Sequence, residues 1–124
     1  MLRNKLLKVM LALTGVGILA GNYPLFSALA DTRHTTISVG DQMLLGVYQP
    51  VGVFLLLAIR NPPASRTLIL AFGWSMITHA AVMTVQSYQG GSLSTSALGL
   101  FIFAMVGVVM LVLAPRAADA AATA

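Results

Sequence analysis

Two groups of residues have the types and spacing to do chemistry. In the first, Ser75, His79 and Gln86 share one face of a helix drawn through them, because positions four and eleven apart return to nearly the same angle at about 3.6 residues per turn. Thr78 lies beside that face. In the second, Asn22-Tyr23 and Tyr48-Gln49 place amides and phenols next to Pro24 and Pro50. These are hydrogen-bonding groups. His79 is the one ionisable side chain well inside an apolar run, and such a group is a functional hypothesis by default. A neutral imidazole could hold a ligand or a quinone-type group by a hydrogen bond, or act as a pH-sensitive switch. It serves equally well as a structural hydrogen-bonder to Tyr48, Gln49 or Asn22, holding helices together.

Other chemistry is excluded. The chain has no Cys, which removes disulfide exchange, thiolate metal sites and Cys nucleophiles. No nucleophile–base–orienter set, Gly-rich phosphate loop or metal-binding helix motif is legible. No carboxylate lies deep in an apolar run, as a proton-coupled exporter would need. Asp31, Arg33, His34 and Asp41 sit in a polar stretch, 31–42, whose spacing matches no compact ligand motif. It reads as a solvated loop. Haem is not expected, because the second His is that loop's His34, and the Met residues in the apolar runs read as packing. The expectation is therefore no catalytic residue, no metal and no cofactor, with quinone as the one organic group the polar set would suit.

The elements that must position these residues follow from composition. Of 124 residues, 58% are apolar and 8% charged. A soluble domain carries about 25% charged residues, so the solvent this chain fits is a bilayer. The net charge of +4 is spread over segment ends, which reads as orientation signals and not as a nucleic-acid footprint. Four apolar spans are expected, at about 6–29, 43–59, 67–88 and 97–113, in one domain over 1–116 with a disordered tail from 117 to 124. Asn22-Tyr23-Pro24 interrupts the first span, and Pro50, flanked by Gly46 and Gly52, is expected to kink the second. Gly17-x-x-x-Gly21 has the small-residue spacing that lets helices approach closely in lipid. Arg60-Asn61-Pro62-Pro63 breaks helix between the second and third spans. Trp74 and Tyr88 read as packing or interfacial anchors. A cleaved signal peptide is the rival reading of the first span, through Val9–Ala20 and Ala28-Leu29-Ala30. The long gap between that apolar stretch and the cut argues for a span.

Positive residues accumulate on the cytoplasmic side of short loops. With both ends inside, Arg3, Lys5, Lys8, Arg60, Arg66 and Arg116 are inner and Arg33 alone is outer. His79 then lies ~18 Å along the helix from Thr67, just past the midplane of a ~30 Å hydrocarbon core. Asn22, Tyr23, Tyr48, Gln49, Ser75, Thr78, His79 and Gln86 are expected to form one polar pocket in the outer half.

Gly21-Asn22-Tyr23-Pro24, the run Gly46-Val47-Tyr48-Gln49-Pro50 continuing to Arg60-Asn61-Pro62, and the run from Ser65 through Trp74-Ser75 and His79 to Gln86 carry a resemblance. Over about Lys5 to Pro115 the chain resembles a bacterial family of small four-helix membrane proteins, known only as a domain of unknown function. More broadly it is similar to the DoxX-like four-helix bundles. The resemblance implies four spans and an uncleaved first helix. It implies no activity. Pro50 departs from the residue expected in many relatives. A quinone-related role carried over from DoxX-like proteins is analogy at the level of the fold.

The expected fold is an all-α membrane protein, a four-transmembrane-helix bundle with both ends cytoplasmic, in a bacterial inner membrane. The expected function is non-enzymatic, although the sequence does not decide that. The protein would pack with a membrane-protein partner or a second copy, or bind a small apolar ligand in the outer-half pocket. A quinone-binding accessory of a membrane oxidoreductase and a small transporter subunit are the alternatives.

Overall fold

The computed structural model describes residues 2–30, 38–89 and 93–118, which form helices and the turns between them, with no strand among them. Helix α1 (Leu2–Gly21) and helix α2 (Tyr23–Ala30) are one rod interrupted at Asn22. The cause is Pro24, which brings no N–H to the helical ladder. The chain tightens around the break: the Asn22 amide donates to the Ile18 carbonyl at 3.1 Å, and the Leu25 amide to the Asn22 carbonyl at 3.0 Å.

Helix α3 (Val39–Ala58) begins four residues before the expected start at Met43. Ser38 is its N-cap, with extended backbone. The Asp41 amide donates to Ser38 Oγ at 3.1 Å, and the Ser38 amide donates to Asp41 Oδ2 at 3.3 Å. Two of the first-turn donors that no helical carbonyl can reach are thereby satisfied. Asp41 therefore belongs to a helix start, not to the solvated loop of 31–42. The rest of that loop, 31–37, lies outside the described residues, with Asp31, Arg33 and His34. Helix α3 runs unbroken through Pro50.

Asn61-Pro62-Pro63 ends the helix as the prolines require. The Ser65 amide then bonds the Pro62 carbonyl and the Arg66 amide the Pro63 carbonyl, at 3.1 and 3.2 Å, leading into helix α4 (Arg66–Gln89). Helix α5 (Leu93–Leu113) follows. Leu2–Ser27, Val39–Ala58 and Arg66–Gln89 are long and apolar enough to cross a membrane, and Ala97–Leu113 is a shorter apolar helix. In the tail expected to be disordered from 117, Ala117 and Ala118 are helical, while 119–124 lie outside the described residues.

The chain divides into two compact units. One comprises residues 8–61, the other residues 1–7 with 62–124. In the first, α1 and α3 run antiparallel at close range. A Cβ on Gly15 would lie 2.8 Å from the Leu56 side chain and 3.0 Å from the Gly52 carbonyl oxygen. One on Gly52 would lie 3.1 Å from Ile18 and Leu19. Gly17 and Gly21, the pair whose spacing suggested close packing, have nothing within 4 Å of such an atom. The close approach falls on Gly15 instead, because Gly15 lies on a different face of α1 from Gly17 and Gly21.

In the second unit, α4 and α5 are antiparallel and cross at Gly73 and Gly107. Ile69, Phe72, Met76 and Ala80 form the buried stripe of α4, three to four residues apart, and Met110 is buried on α5. Two arginines of this unit close the end of α5. Arg3 Nη2 donates to the Ala114 carbonyl at 3.2 Å, and Arg66 Nε to the Pro115 carbonyl at 3.0 Å. Carbonyls past the last turn of a helix lack amide partners, and cationic donors suit the negative end of its dipole.

Candidate functional site

The eight candidate residues fall into both units, four in each. Within residues 8–61, Asn22 is 1% exposed. Its side-chain nitrogen Nδ2 is buried and has no hydrogen-bond partner. Gln49, half-buried on α3, has the same property at Nε2. Tyr48 is half-buried and Tyr23 exposed. The register of α1 on α3 is set by two glycines. Gly15 meets Leu56, and Gly52 meets Ile18 and Leu19. Continuing the antiparallel register by one turn sets Asn22 opposite Tyr48 and Gln49.

Both amides sit beside an interruption that the sequence builds in. Asn22 is the turn residue two positions before Pro24, and Gln49 immediately precedes Pro50. Pro50 supplies no N–H, so the Gly46 carbonyl loses its helical donor. The two segments that share a Gly-x-Tyr pattern followed by proline are thus neighbours across the helix pair. A buried amide left without a partner costs about 1–3 kcal/mol, and more against hydrocarbon. Two such donors at one level are an unbalanced hydrogen-bonding surface that a ligand's acceptor would complete.

Within the other unit, the His79 ring packs against Phe103 of α5, with ring centroids 4.7 Å apart and planes tilted by 59°. Ser75, Thr78 and Gln86 are exposed. They lie off the buried stripe of α4, so only His79 of this set engages the α4–α5 packing. Two hydroxyls elsewhere on the helices are satisfied locally. Thr84 Oγ1 donates to the Ala80 carbonyl at 2.8 Å, and Ser27 Oγ to the Pro24 carbonyl at 2.9 Å, the back-bonding that lets hydroxyls sit on apolar helices. Trp74 and Tyr88 are exposed, as interfacial anchors would be. No group of three potential metal ligands is present among the described residues.

Two features escaped sequence reasoning. The capping pair Ser38-x-x-Asp41 was legible, since Ser followed three residues later by an acid before an apolar run marks a helix start. Ser87, 6% exposed, lies seven residues after Ala80 and so continues the buried stripe of α4.

A family model described as a family of unknown function, DUF6632, matches residues 2–122. The chain belongs to this family. The match takes in both units and all eight candidate residues. No curated protein and no solved structure matches the chain. Membership in DUF6632 therefore brings no activity with it.

Proposed function

We propose that this DUF6632 protein is a non-enzymatic, multi-pass protein of a bacterial inner membrane that binds a small, largely apolar ligand in the outer half of the bilayer. The observation that carries the reading is the buried, unpartnered amide of Asn22, with a second unpartnered amide, that of Gln49, on the helix packed against α1. Polar groups deep in a membrane protein are costly unless satisfied, and those retained mark sites of function. The ligand site lies within residues 8–61.

The topology proposed is four spans with both ends cytoplasmic. The charge distribution supports it, six basic residues against one. So does the pairing of Arg3 and Arg66 with the Ala114 and Pro115 carbonyls just past α5, which brings these two basic residues to one end of their unit. A quinone-binding accessory role is the second reading, favoured by the same two N–H donors.

The test is extraction. The protein, purified in mild detergent, is analysed for bound lipids and quinones, and its absorbance spectrum recorded. A discrete apolar compound is expected with the wild type at near one per chain, and its loss from Asn22→Leu. An extract matching the surrounding membrane, unchanged by the substitution, would sink the ligand-binding reading.

A further inference from the structure

We infer that Asn22 and Gln49 form a two-donor site for the carbonyl oxygen of a small, neutral, lipid-soluble molecule. This rests on the ligand-binding reading above and names the chemistry of the ligand. Both unsatisfied atoms are amide nitrogens, hence donors, and both are buried. The contacts of Gly15 with Leu56 and of Gly52 with Ile18 and Leu19, carried on by one helical turn, would bring the two to one level. A carbonyl oxygen has two lone pairs and accepts from two N–H groups at once.

Other acceptors fit less well. An anion would enter hydrocarbon without a countercharge from the described residues of the two helices, whose nearest bases are Lys8 and Arg60. At 1.5 Å per residue these lie ~21 Å from Asn22 and ~16 Å from Gln49. A bilayer lipid's ester sits at the edge of a core ~30 Å thick, whereas Asn22 lies eight residues before the end of α2 and Gln49 ten after the start of α3, ~12 and ~15 Å inside the outer helix ends. A water accepting from both amides would also have to reach, with its own two hydrogens, the carbonyls that Pro24 and Pro50 free, those of Ala20 and Gly46. A ketone-type carbonyl brings no donor of its own and accepts one N–H from each amide.

The experiment places the full chain, with side-chain amides labelled with nitrogen-15, in nanodiscs of ether-linked phospholipid, which contains no ester carbonyl. A long-chain methyl ketone, or the alkane of equal length, is then titrated in. The Asn22 and Gln49 amide resonances are identified by their loss in Asn22→Leu and Gln49→Leu. The ketone is expected to move both resonances saturably downfield and the alkane neither. Each substitution is expected to weaken ketone binding at least about tenfold. Because each also removes an unpaired donor, the ligand-free variants are expected to melt no lower than the wild type, which separates lost binding from lost folding.

Equal binding of ketone and alkane with unmoved amides would overturn the carbonyl assignment and leave the ligand-binding reading standing. Binding of neither would overturn both. Amides that shift only when ester-linked lipid replaces the ether lipid would assign the acceptor to the bilayer and overturn the proposal. So would amides that exchange magnetisation only with water.

Discussion

Gly73 and Gly107 meet backbone to backbone: a Cβ on Gly107 would lie 2.8 Å from the Gly73 carbonyl oxygen and 3.1 Å from the Ile77 amide nitrogen. Neither atom belongs to a flexible side chain, so the helices must part to admit a methyl group. Gly107→Ala is expected to destabilise the α4–α5 pair by about 1–3 kcal/mol, the usual cost of overpacking. Gly17→Ala is the control, since nothing lies within 4 Å of its Cβ. Its melting midpoint in detergent should match or exceed the wild type's, because Ala costs less backbone entropy than Gly in a helix. Equal midpoints for the two variants would contradict the crossing geometry.

The Ser38–Asp41 capping box makes a second prediction. Ser38→Ala removes the acceptor for the Asp41 amide and is expected to cost about 1 kcal/mol. The loss should be local. Hydrogen exchange at Asp41 and Gln42 should speed up while exchange at Leu55 stays as it was. Ser38→Asp, which restores an acceptor at the cap, should recover most of the protection.

These two sites show what could be read in advance. Helix existence was legible because apolar runs longer than about 17 residues leave little else for a chain to do. Prolines and the basic turn marked the breaks at Asn22 and after Arg60 for steric reasons that operate within a few residues. Which small residues would touch was not legible. Gly17 and Gly21 had the textual spacing, yet Gly15 makes the contact, because the choice of face depends on the rotation of α1 against α3, a property of the pair. The orphaned amides of Asn22 and Gln49 were visible as polar residues at similar depth. Their lack of partners is a tertiary fact that spacing cannot report.

His79 and Phe103 make a ring pair within the α4–α5 packing. Such pairs contribute about 0.5–1.5 kcal/mol beyond simple burial. His79→Phe is therefore expected to keep the midpoint within about 0.5 kcal/mol of wild type, while His79→Ala lowers it by about 1–3 kcal/mol through the lost pair and the space left behind. If His79→Phe proves as damaging as His79→Ala, the imidazole nitrogens matter more than the ring, and a hydrogen-bonding role returns.

Arg66 links the start of α4 to the carbonyl of Pro115. Arg66→Gln removes the charge and shortens the donor's reach. The expected loss is about 0.3–1 kcal/mol, the usual value of a cation at a helix C-terminus, and it should shrink at high salt. Faster exchange confined to the last turn of α5 is the local signature. A salt-independent loss would mean that the side chain acts by packing, through its apolar stem.

The same arginine bears on orientation. Ala64, exposed in the turn before α4, carries Arg60 and Arg66 on either side, and Gln89 closes the other end of that helix with no basic neighbour. A helix of 24 residues is ~36 Å long, enough to cross a ~30 Å core, so its two ends must face opposite compartments if it spans. Arginine is held back on the cytoplasmic side. In intact cells, Gln89→Cys is therefore expected to react with a membrane-impermeant maleimide and Ala64→Cys to react only after lysis. The reverse pattern would overturn the orientation. Reaction of both from outside would show that α4 does not cross the membrane, and would remove the depth argument for the Asn22–Gln49 site along with it.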